Sequence, residues 1–248
     1  GWEVGSGVSA NSYAANSSFT MGSAAITFTA KWAGINYAVT YSLNGGAGST
    51  PTQANVTSGG SFTTAAAPTK SGYTFTGWSD GATSTNASTL ISSVSTNITL
   101  TAQWTIAVPG TPGTATAAPG DGSATITISA PSSGGTPSSY TVTAAPGGAT
   151  CTVISPGTSC TIEPLTNGTA YTFTTTATNS AGTSTSSSAA SNSVTPAGVP
   201  SAPTGVTGTG TGGSATVTWS VPSSDGGSAL TDYVIEYSVV SSGTWTTF

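Results

Sequence analysis

The sequence predicts a mainly β fold built as a modular array, and three observations lead to this prediction. Two different units recur along the 248 residues, each with its own alternating apolar pattern. Short alternating runs are separated by Gly, Pro, Asn and Ser, which is typical of strands joined by turns. A segment rich in Pro and Gly, residues 107–113, divides the two kinds of unit. We therefore expect several small hydrophobic cores in series.

The first repeated unit lies in the N-terminal part of the chain. Residues 26–32 (ITFTAKW) recur as residues 98–104 (ITLTAQW), and the Gly1-Trp2 pair recurs as Gly77-Trp78. Residues 1–34 therefore correspond to the C-terminal part of the unit, and residues 35–106 to a complete copy. Residues 44–46 (NGG) predict a turn, because glycine adopts positive φ without steric cost. We also expect a single helical turn near residues 88–93.

The complete copy resembles the internalin-type B-repeat, also called the Listeria–Bacteroides repeat. The resemblance is carried by residues 39–46 (VTYSLNGG), 73–78 (YTFTGW) and 97–104 (NITLTAQW), in this order and spacing. It implies a compact β-grasp-like module that occurs in arrays on bacterial surface proteins. Ser42 stands where the family often has an acidic residue.

The second repeated unit follows the linker. Residues 122–131 (GSATITISAP) recur as residues 213–222 (GSATVTWSVP), a shift of 91 positions. Strand-like runs at intervals of roughly ten residues predict a β-sandwich. Residues 165–173 (LTNGTAYTF) and 177–182 (ATNSAG) resemble the fibronectin type III domain, in which a tyrosine at the position of Tyr171 forms the corner before strand F.

The predicted organisation is four modules, two of them incomplete. They are the end of a B-repeat at 1–34, a complete B-repeat at 35–106, a fibronectin type III domain at 107–197, and the first part of another at 198–248. The last module lacks the expected Leu…Tyr corner, so we expect the chain to be a fragment. Its two partial modules belong to different folds and are not expected to complete one another head to tail.

The two cysteines, Cys151 and Cys160, lie in strand-like runs separated by residues 155–158 (SPGT). A hairpin at this position would bring the two sulfurs within bonding distance. A disulfide would indicate an oxidising, extracytoplasmic setting. The alternative is a pair of buried free thiols. A metal site is disfavoured, because two thiols without histidine or clustered carboxylates do not complete a coordination shell.

Charge is scarce throughout the chain. Only 4% of residues are charged, the net charge is −5, and Lys31 and Lys70 are the only cations. Two lysines cannot neutralise a run of phosphates, so we do not expect nucleic-acid binding. No apolar run approaches the ~20 residues of a membrane-spanning helix, so we expect no membrane insertion by this segment. Hydroxyl and amide groups must provide most of the solubility.

The same composition disfavours catalysis, and we expect neither an enzyme nor a cofactor. The absence of histidine excludes a Ser-His-Asp arrangement. The seven carboxylates are scattered over different units, mostly in predicted turns: Glu3, Asp80, Asp121, Glu163, Asp225, Asp232 and Glu236. Trp78, Trp104 and Trp219 are expected in the cores because they occupy repeated positions. Trp245 has no repeated counterpart, so it is a candidate for ligand contact.

These features predict a non-catalytic, extracellular stalk or fibre segment of a bacterial cell-surface protein, such as an adhesin. Its expected partners are neighbouring copies of itself, other surface proteins, or glycans. Strand faces of Thr and Ser can approach like faces without burying charge, which favours packing into a filament or sheet. One alternative is a spacer in a secreted polysaccharide-degrading enzyme. Another is a carbohydrate- or protein-binding module.

Overall fold

The computed structural model describes residues 2–4, 28–30, 33–239 and 243–247. Within these residues the secondary structure consists of strands, with no helix, so the predicted mainly β class is confirmed. The helical turn expected near residues 88–93 is wrong. Leu90 and Ile91 form a short strand there, flanked by Ser88 and Ser93 with positive φ values of 55° and 57°. Left-handed backbone at these two positions is incompatible with a right-handed helical turn.

The chain divides into two compact units, residues 1–70 with 74–105, and residues 71–73 with 106–248. The strands up to residue 106 are β1 (Trp2–Val4), β2 (Phe28–Ala30), β3 (Asn36–Tyr37), β4 (Val39–Ser42), β5 (Val56–Thr57), β6 (Phe62–Thr63), β7 (Tyr73–Ser79), β8 (Ser84–Thr85), β9 (Leu90–Ile91) and β10 (Ile98–Ile106). The remaining strands are β11 (Gly113–Gly120), β12 (Ser123–Ser129), β13 (Ser139–Ala145), β14 (Thr150–Ile154), β15 (Ser159–Ile162), β16 (Thr172–Asn179), β17 (Gly182–Thr183), β18 (Thr204–Thr211), β19 (Ser214–Ser220), β20 (Glu236–Tyr237) and β21 (Thr246–Thr247). The boundaries of the four predicted modules remain predictions.

The main sheet of the first unit has the strand order β4-β10-β7-β8. Strands β4 and β10 are parallel, with Val39 opposite Ile98, so the strands that come first and last in sequence in this sheet lie side by side, as in a β-grasp-like fold. Alternation in β4 places Val39 and Tyr41 inside. The core consists of Val39, Tyr41, Val56, Phe62, Trp78, Val94, Leu100 and Ala102.

Strands β1 and β2 form an antiparallel pair near the start of the chain, with Trp2 opposite Ala30. Trp2 of β1 and residues 29–30 of β2 recur as Trp78 of β7 and residues 101–102 of β10, and β7 and β10 are also neighbours in their sheet. The repeated sequence therefore corresponds to a repeated strand pairing.

Residues 113–183 form a sandwich of two sheets. One has the order β11-β12-β15 and the other β14-β13-β16-β17. Strands β13 and β16 are antiparallel over seven residue pairs, from Ser139↔Thr178 to Ala145↔Thr172. Alternation along each strand directs apolar residues inward. The enclosed core consists of Ala115, Ala124, Ile126, Val142, Ala144, Ile162, Leu165, Tyr171, Phe173 and Val194.

The second copy of this sequence begins with the hairpin β18–β19. Its register shifts between Thr204 and Thr207, as the register of β11–β12 shifts between Gly113 and Thr116. The two irregularities are 91 positions apart, so the sequence repeat also preserves a β-bulge. Strands β20 and β21 form a separate antiparallel pair.

Candidate functional site

The described carboxylates serve mainly as acceptors in turns. Among the residues that the structure describes, no group of three or more His, Cys, Asp or Glu could hold a metal ion. Asp80 accepts the backbone N–H groups of Thr83 at 2.7 Å and Ala82 at 2.9 Å. These bonds, that of Thr83 first, lower the pKa of the Asp80 carboxyl. None of the described residues form a helix of the length and hydrophobicity that a bilayer crossing requires.

Cys151 and Cys160 form a disulfide, with their Cα atoms 6.3 Å apart. The expected hairpin between them is wrong, because β14 pairs with β13 whereas β15 pairs with β12. Both β14 and β15 are edge strands, one in each sheet. The disulfide therefore joins the two sheets of the sandwich along one side. The short connection crosses from one sheet to the other instead of forming a ladder.

Tyr171 lies where the chain enters β16, and it is 7% exposed. Its hydroxyl accepts the backbone N–H of Thr166 at 3.1 Å. This is the geometry of a tyrosine corner, in which the phenol anchors the preceding loop to the sheet. Leu165 of the same loop belongs to the core, and its backbone N–H donates to the Gly122 carbonyl.

The opposite side of the sandwich is closed by three buried serines, Ser184, Ser188 and Ser191, which we call the serine ladder. Each donates its backbone N–H to a carbonyl of β16 and accepts the N–H of the same β16 residue on its own Oγ. The partners are Ala177, Thr175 and Phe173 respectively, at 2.7–3.2 Å. Each hydroxyl also donates to a nearby carbonyl: those of Ser186, Ala189 and Asn192. Each serine Oγ thus accepts a β16 N–H that, in a regular sheet, would donate to a backbone carbonyl of the neighbouring strand.

Asn192 connects this segment to the other sheet. Its Oδ1 accepts the Ala117 backbone N–H at 2.8 Å, and its Nδ2 donates to the Ala117 carbonyl at 2.9 Å. The carboxamide therefore acts as a peptide group along the edge of β11. As a result, the disulfide closes one side of the sandwich, and the serine ladder with Asn192 closes the other.

Sequence reasoning missed the serine ladder and Asn192. Their signal is the spacing Ser184, Ser188, Ser191, Val194, at intervals of four, three and three. Neither a strand period of two nor an apolar pattern accompanies it, and serine is abundant everywhere in this chain. The segment therefore has the sequence of a polar loop.

The two tryptophans of the complete first-unit copy are structural. Trp78 is fully buried, its ring packs edge-on against Tyr41 at 4.8 Å, and its Nε1 donates to the Ala65 carbonyl at 3.0 Å. Trp104 is half-buried, and its Nε1 donates to the Leu43 carbonyl at 3.1 Å. Lys70 lies over the Trp104 ring, 5.7 Å from the centroid, at a distance suited to a cation–π contact.

The last module places its tryptophans differently. Trp219 is half-buried, not enclosed in a core, and its ring lies 5.2 Å from that of Tyr233. It lines a cavity of about 230 Å³ together with Val217 and Ile235. Trp245 is 66% exposed. In the first sandwich, the equivalent residue Ile128 packs against an enclosed core. The apolar neighbours of Trp219 are instead open to solvent, since Val206 is 62% and Val234 75% exposed.

The fold and these contacts define a modular array of β-domains, and comparison with known families specifies them. Residues 37–103 match the Listeria-Bacteroides repeat domain, and residues 109–193 match the fibronectin type III domain. Both predicted resemblances are confirmed, in the predicted order. Both domain types are typically non-catalytic modules of extracellular or surface proteins. No curated protein matches the chain.

Solved structures resemble parts of the chain. Domains A168–A170 of titin are 21% identical over 43% of this chain and 39% of that one, with a TM-score of 0.31. The FN1–FN3 domains of chicken CNTN1 are 21% identical over 56% and 51%, with a TM-score of 0.33. The kinase region of C. elegans twitchin is 26% identical over 36% and 17%, with a TM-score of 0.31. The chain thus spans less than two thirds of the length of each.

Proposed function

We propose that this chain is a non-catalytic, extracellular spacer segment of a bacterial cell-surface protein. The observation that supports it most is the closure of the sandwich at Cys151–Cys160 on one side and at the serine ladder on the other. Exposed strand edges invite pairing with other chains, and a spacer must remain folded beside many neighbours. The disulfide fits an oxidising extracellular setting.

A height measurement tests the spacer function. The chain is displayed on a bacterial surface between a wall anchor and a fluorescent tip domain, and the distance of the tip from the membrane is measured by axial localisation microscopy. Removing residues 107–248 should bring the tip closer to the membrane. Replacing them with a flexible Gly/Ser linker of equal length should broaden the distribution of tip heights, because such a linker behaves as a coil. An unchanged height after removal, together with an unchanged distribution after replacement, would contradict the proposal.

We further propose that neighbouring copies pack through uncharged strand faces. The outer face of the sandwich sheet β14-β13-β16-β17 carries pairs of threonines on neighbouring strands. Thr141 is opposite Thr152 and Thr176, and Thr143 is opposite Thr150 and Thr174. This threonine face contains no charged residue, so two copies can approach without burying an unpaired charge. Because both sides of this sandwich are closed, the packing uses the face and not the edges.

Sedimentation velocity across salt concentrations tests the packing. Association through uncharged faces should persist at high salt, because no charge attraction is screened. Thr141→Lys with Thr174→Lys should abolish it by adding like charges to the face. Thr125→Lys with Thr127→Lys, on exposed positions of the other sheet, is the matched control and should leave it intact. A monomer at every salt and protein concentration would refute the packing.

The exposed Trp245 ring supports a second proposal, contact with glycans. Aromatic rings offer an apolar face to a ligand, and this one is largely free of protein cover. Titration with soluble cell-wall or plant oligosaccharides, followed by isothermal calorimetry, tests the contact. Binding should be lost in Trp245→Ala and retained in Tyr237→Ala, a variant of another exposed aromatic residue in the same module. No heat of binding to any of these sugars would contradict it.

A further inference from the structure

The segment that enters each fibronectin-type module is held in the same way. Residues 108–110 (VPG) and 199–201 (VPS) are 91 positions apart. The Gly110 backbone N–H donates to the Ser133 carbonyl at 3.0 Å, and the Ser201 backbone N–H donates to the Ser224 carbonyl at 2.9 Å. These partners are also 91 positions apart. The repeated unit therefore includes a backbone hydrogen bond that holds the segment leading into the module against the loop after its second strand.

At the second entry, the loop after β19 also reaches back to the preceding sandwich. The Gly198 backbone N–H donates to the Gly226 carbonyl at 2.7 Å. Gly227 lies against the Asn167–Gly168 loop so closely that a Cβ on Gly227 would be 2.5 Å from the Gly168 nitrogen. Backbone therefore touches backbone at this point, with no room for a side chain.

The side chains of Asn167 and Asp121 support the surface against which Gly227 lies. Asn167 Nδ2 donates to Asp121 Oδ1 at 2.8 Å, and Asn167 Oδ1 accepts the Gly122 backbone N–H at 2.7 Å. A Cβ on Gly198 would overlap the Asp121 carboxylate. The turn before β12 and the loop before β16 are thus joined into one surface at the end of the sandwich.

We infer that this end of the sandwich is an interaction surface whose partner is the diglycine loop, Gly226–Gly227, of the next fibronectin-type module. Motion between domains is the ordinary expectation unless an interface restrains it. Here the backbone N–H groups of Gly198 and Ser201, in the linker, both donate to the loop at residues 224–227. The same loop lies against Gly168 of the preceding sandwich. The two modules therefore move as one rigid body. This inference concerns the joint alone and holds whether or not the chain is a surface spacer.

Residual dipolar couplings of the ¹⁵N-labelled full chain test the inference. Amides of residues 113–179 and 204–220 should fit one alignment tensor. Gly227→Ala should abolish the common tensor, so that each module requires its own, while the chemical shifts within both sheets are retained. The matched control is Gly213→Ala. Gly213 has a similar φ of +100°, against +94° for Gly227, but its Cβ would meet no atom within 4 Å.

A second variant separates docking from folding. Gly198 does not adopt the left-handed conformation, so Gly198→Ala introduces the clash with Asp121 without backbone strain. The clash displaces the Asp121 carboxylate from Asn167, so the fit of both modules to one tensor should worsen. Two tensors in the unmodified chain, or a common tensor retained in Gly227→Ala with both modules folded, would overturn the inference.

Discussion

At the scale of single residues, the Tyr171 hydroxyl fixes the loop that precedes β16. Replacing Tyr171 with Phe removes the acceptor of the Thr166 N–H and should lower the free energy of unfolding by about 1 kcal/mol. Urea denaturation followed by circular dichroism measures the change. Tyr140→Phe is the control, since Tyr140 is also buried in this sandwich and its hydroxyl has no hydrogen bond within the described residues. Equal losses in the two variants would contradict the assigned role of the bond.

Thr175 differs from Tyr171 in having a buried hydroxyl that makes no hydrogen bond within the described residues. It is fully buried on the inner face of β16. Thr175→Val keeps the shape and removes the unpaired hydroxyl, so it should raise the free energy of unfolding by about 1 kcal/mol. The half-exposed Thr174→Val serves as the control in the same urea experiment. A destabilised Thr175→Val protein would show that the hydroxyl has a partner.

At the scale of elements, the serine ladder makes a strong prediction. Ser191→Ala leaves the buried Phe173 N–H without its acceptor, which should cost about 1–3 kcal/mol of unfolding free energy. Hydrogen exchange of the Phe173 amide should accelerate more than that of amides in β12. Ser187→Ala, an exposed serine of the same segment, should change neither quantity. An unaltered Phe173 exchange rate in Ser191→Ala would contradict the ladder.

The disulfide is the other closing element. The double variant Cys151→Ala with Cys160→Ala should lose about 2–3 kcal/mol of unfolding free energy, because the closed loop is short. Urea denaturation under oxidising conditions measures the loss. Adding reductant should destabilise the unmodified protein and leave the double variant unchanged. Destabilisation of the double variant by reductant would show that the effect arises elsewhere.

The element scale also shows where sequence reasoning ends. The cysteine spacing predicted the bond but suggested a hairpin, because a short turn-like connection does not distinguish strand pairing within one sheet from a crossing between two. The Tyr171 corner was predictable from a contiguous motif. The serine ladder was not, because its hydrogen bonds depend on where β16 lies, and that position is set by tertiary packing.

At the scale of the whole molecule, stability should depend little on pH near neutrality. The chain has no histidine, so no side chain has its ordinary pKa between roughly pH 5 and 8. Burial raises the pKa of Tyr140 above its usual value of 10.0, further from this range. The free energy of unfolding from urea titrations should therefore be constant across this interval. A transition centred near neutral pH would contradict this expectation.

Acid should destabilise the chain partly through Asp80. Its folded-state pKa lies below the ordinary value of 3.8, so its ionised form contributes stability above the unfolded pKa. That contribution is lost as the pH falls through the folded value. Asp80→Asn should accordingly show a smaller acid-induced loss than the unmodified chain. An identical acid profile would contradict this role of Asp80.

The whole-molecule architecture was largely predictable because the information is periodic. The two repeats predicted the mainly β class and the domain types from local sequence alone. The environment of Trp219 was not predictable in this way, because its equivalence to Ile128 describes a position in a strand. Burial depends on the segments that pack against that strand, which a local repeat does not specify.

The serine ladder also leaves parts of the chain free to vary. The ladder serines pair with every second residue of β16, but they are themselves separated by three and four positions. The residues between two serines therefore bulge away from the sheet without pairing to it. Residues 185–187 and 189–190 are exposed and donate no backbone hydrogen bond to β16. Substitutions there need preserve only the spacing between serines. This side of the domain can therefore diversify in sequence, or carry designed recognition residues at these positions, while the serines keep the sheet closed.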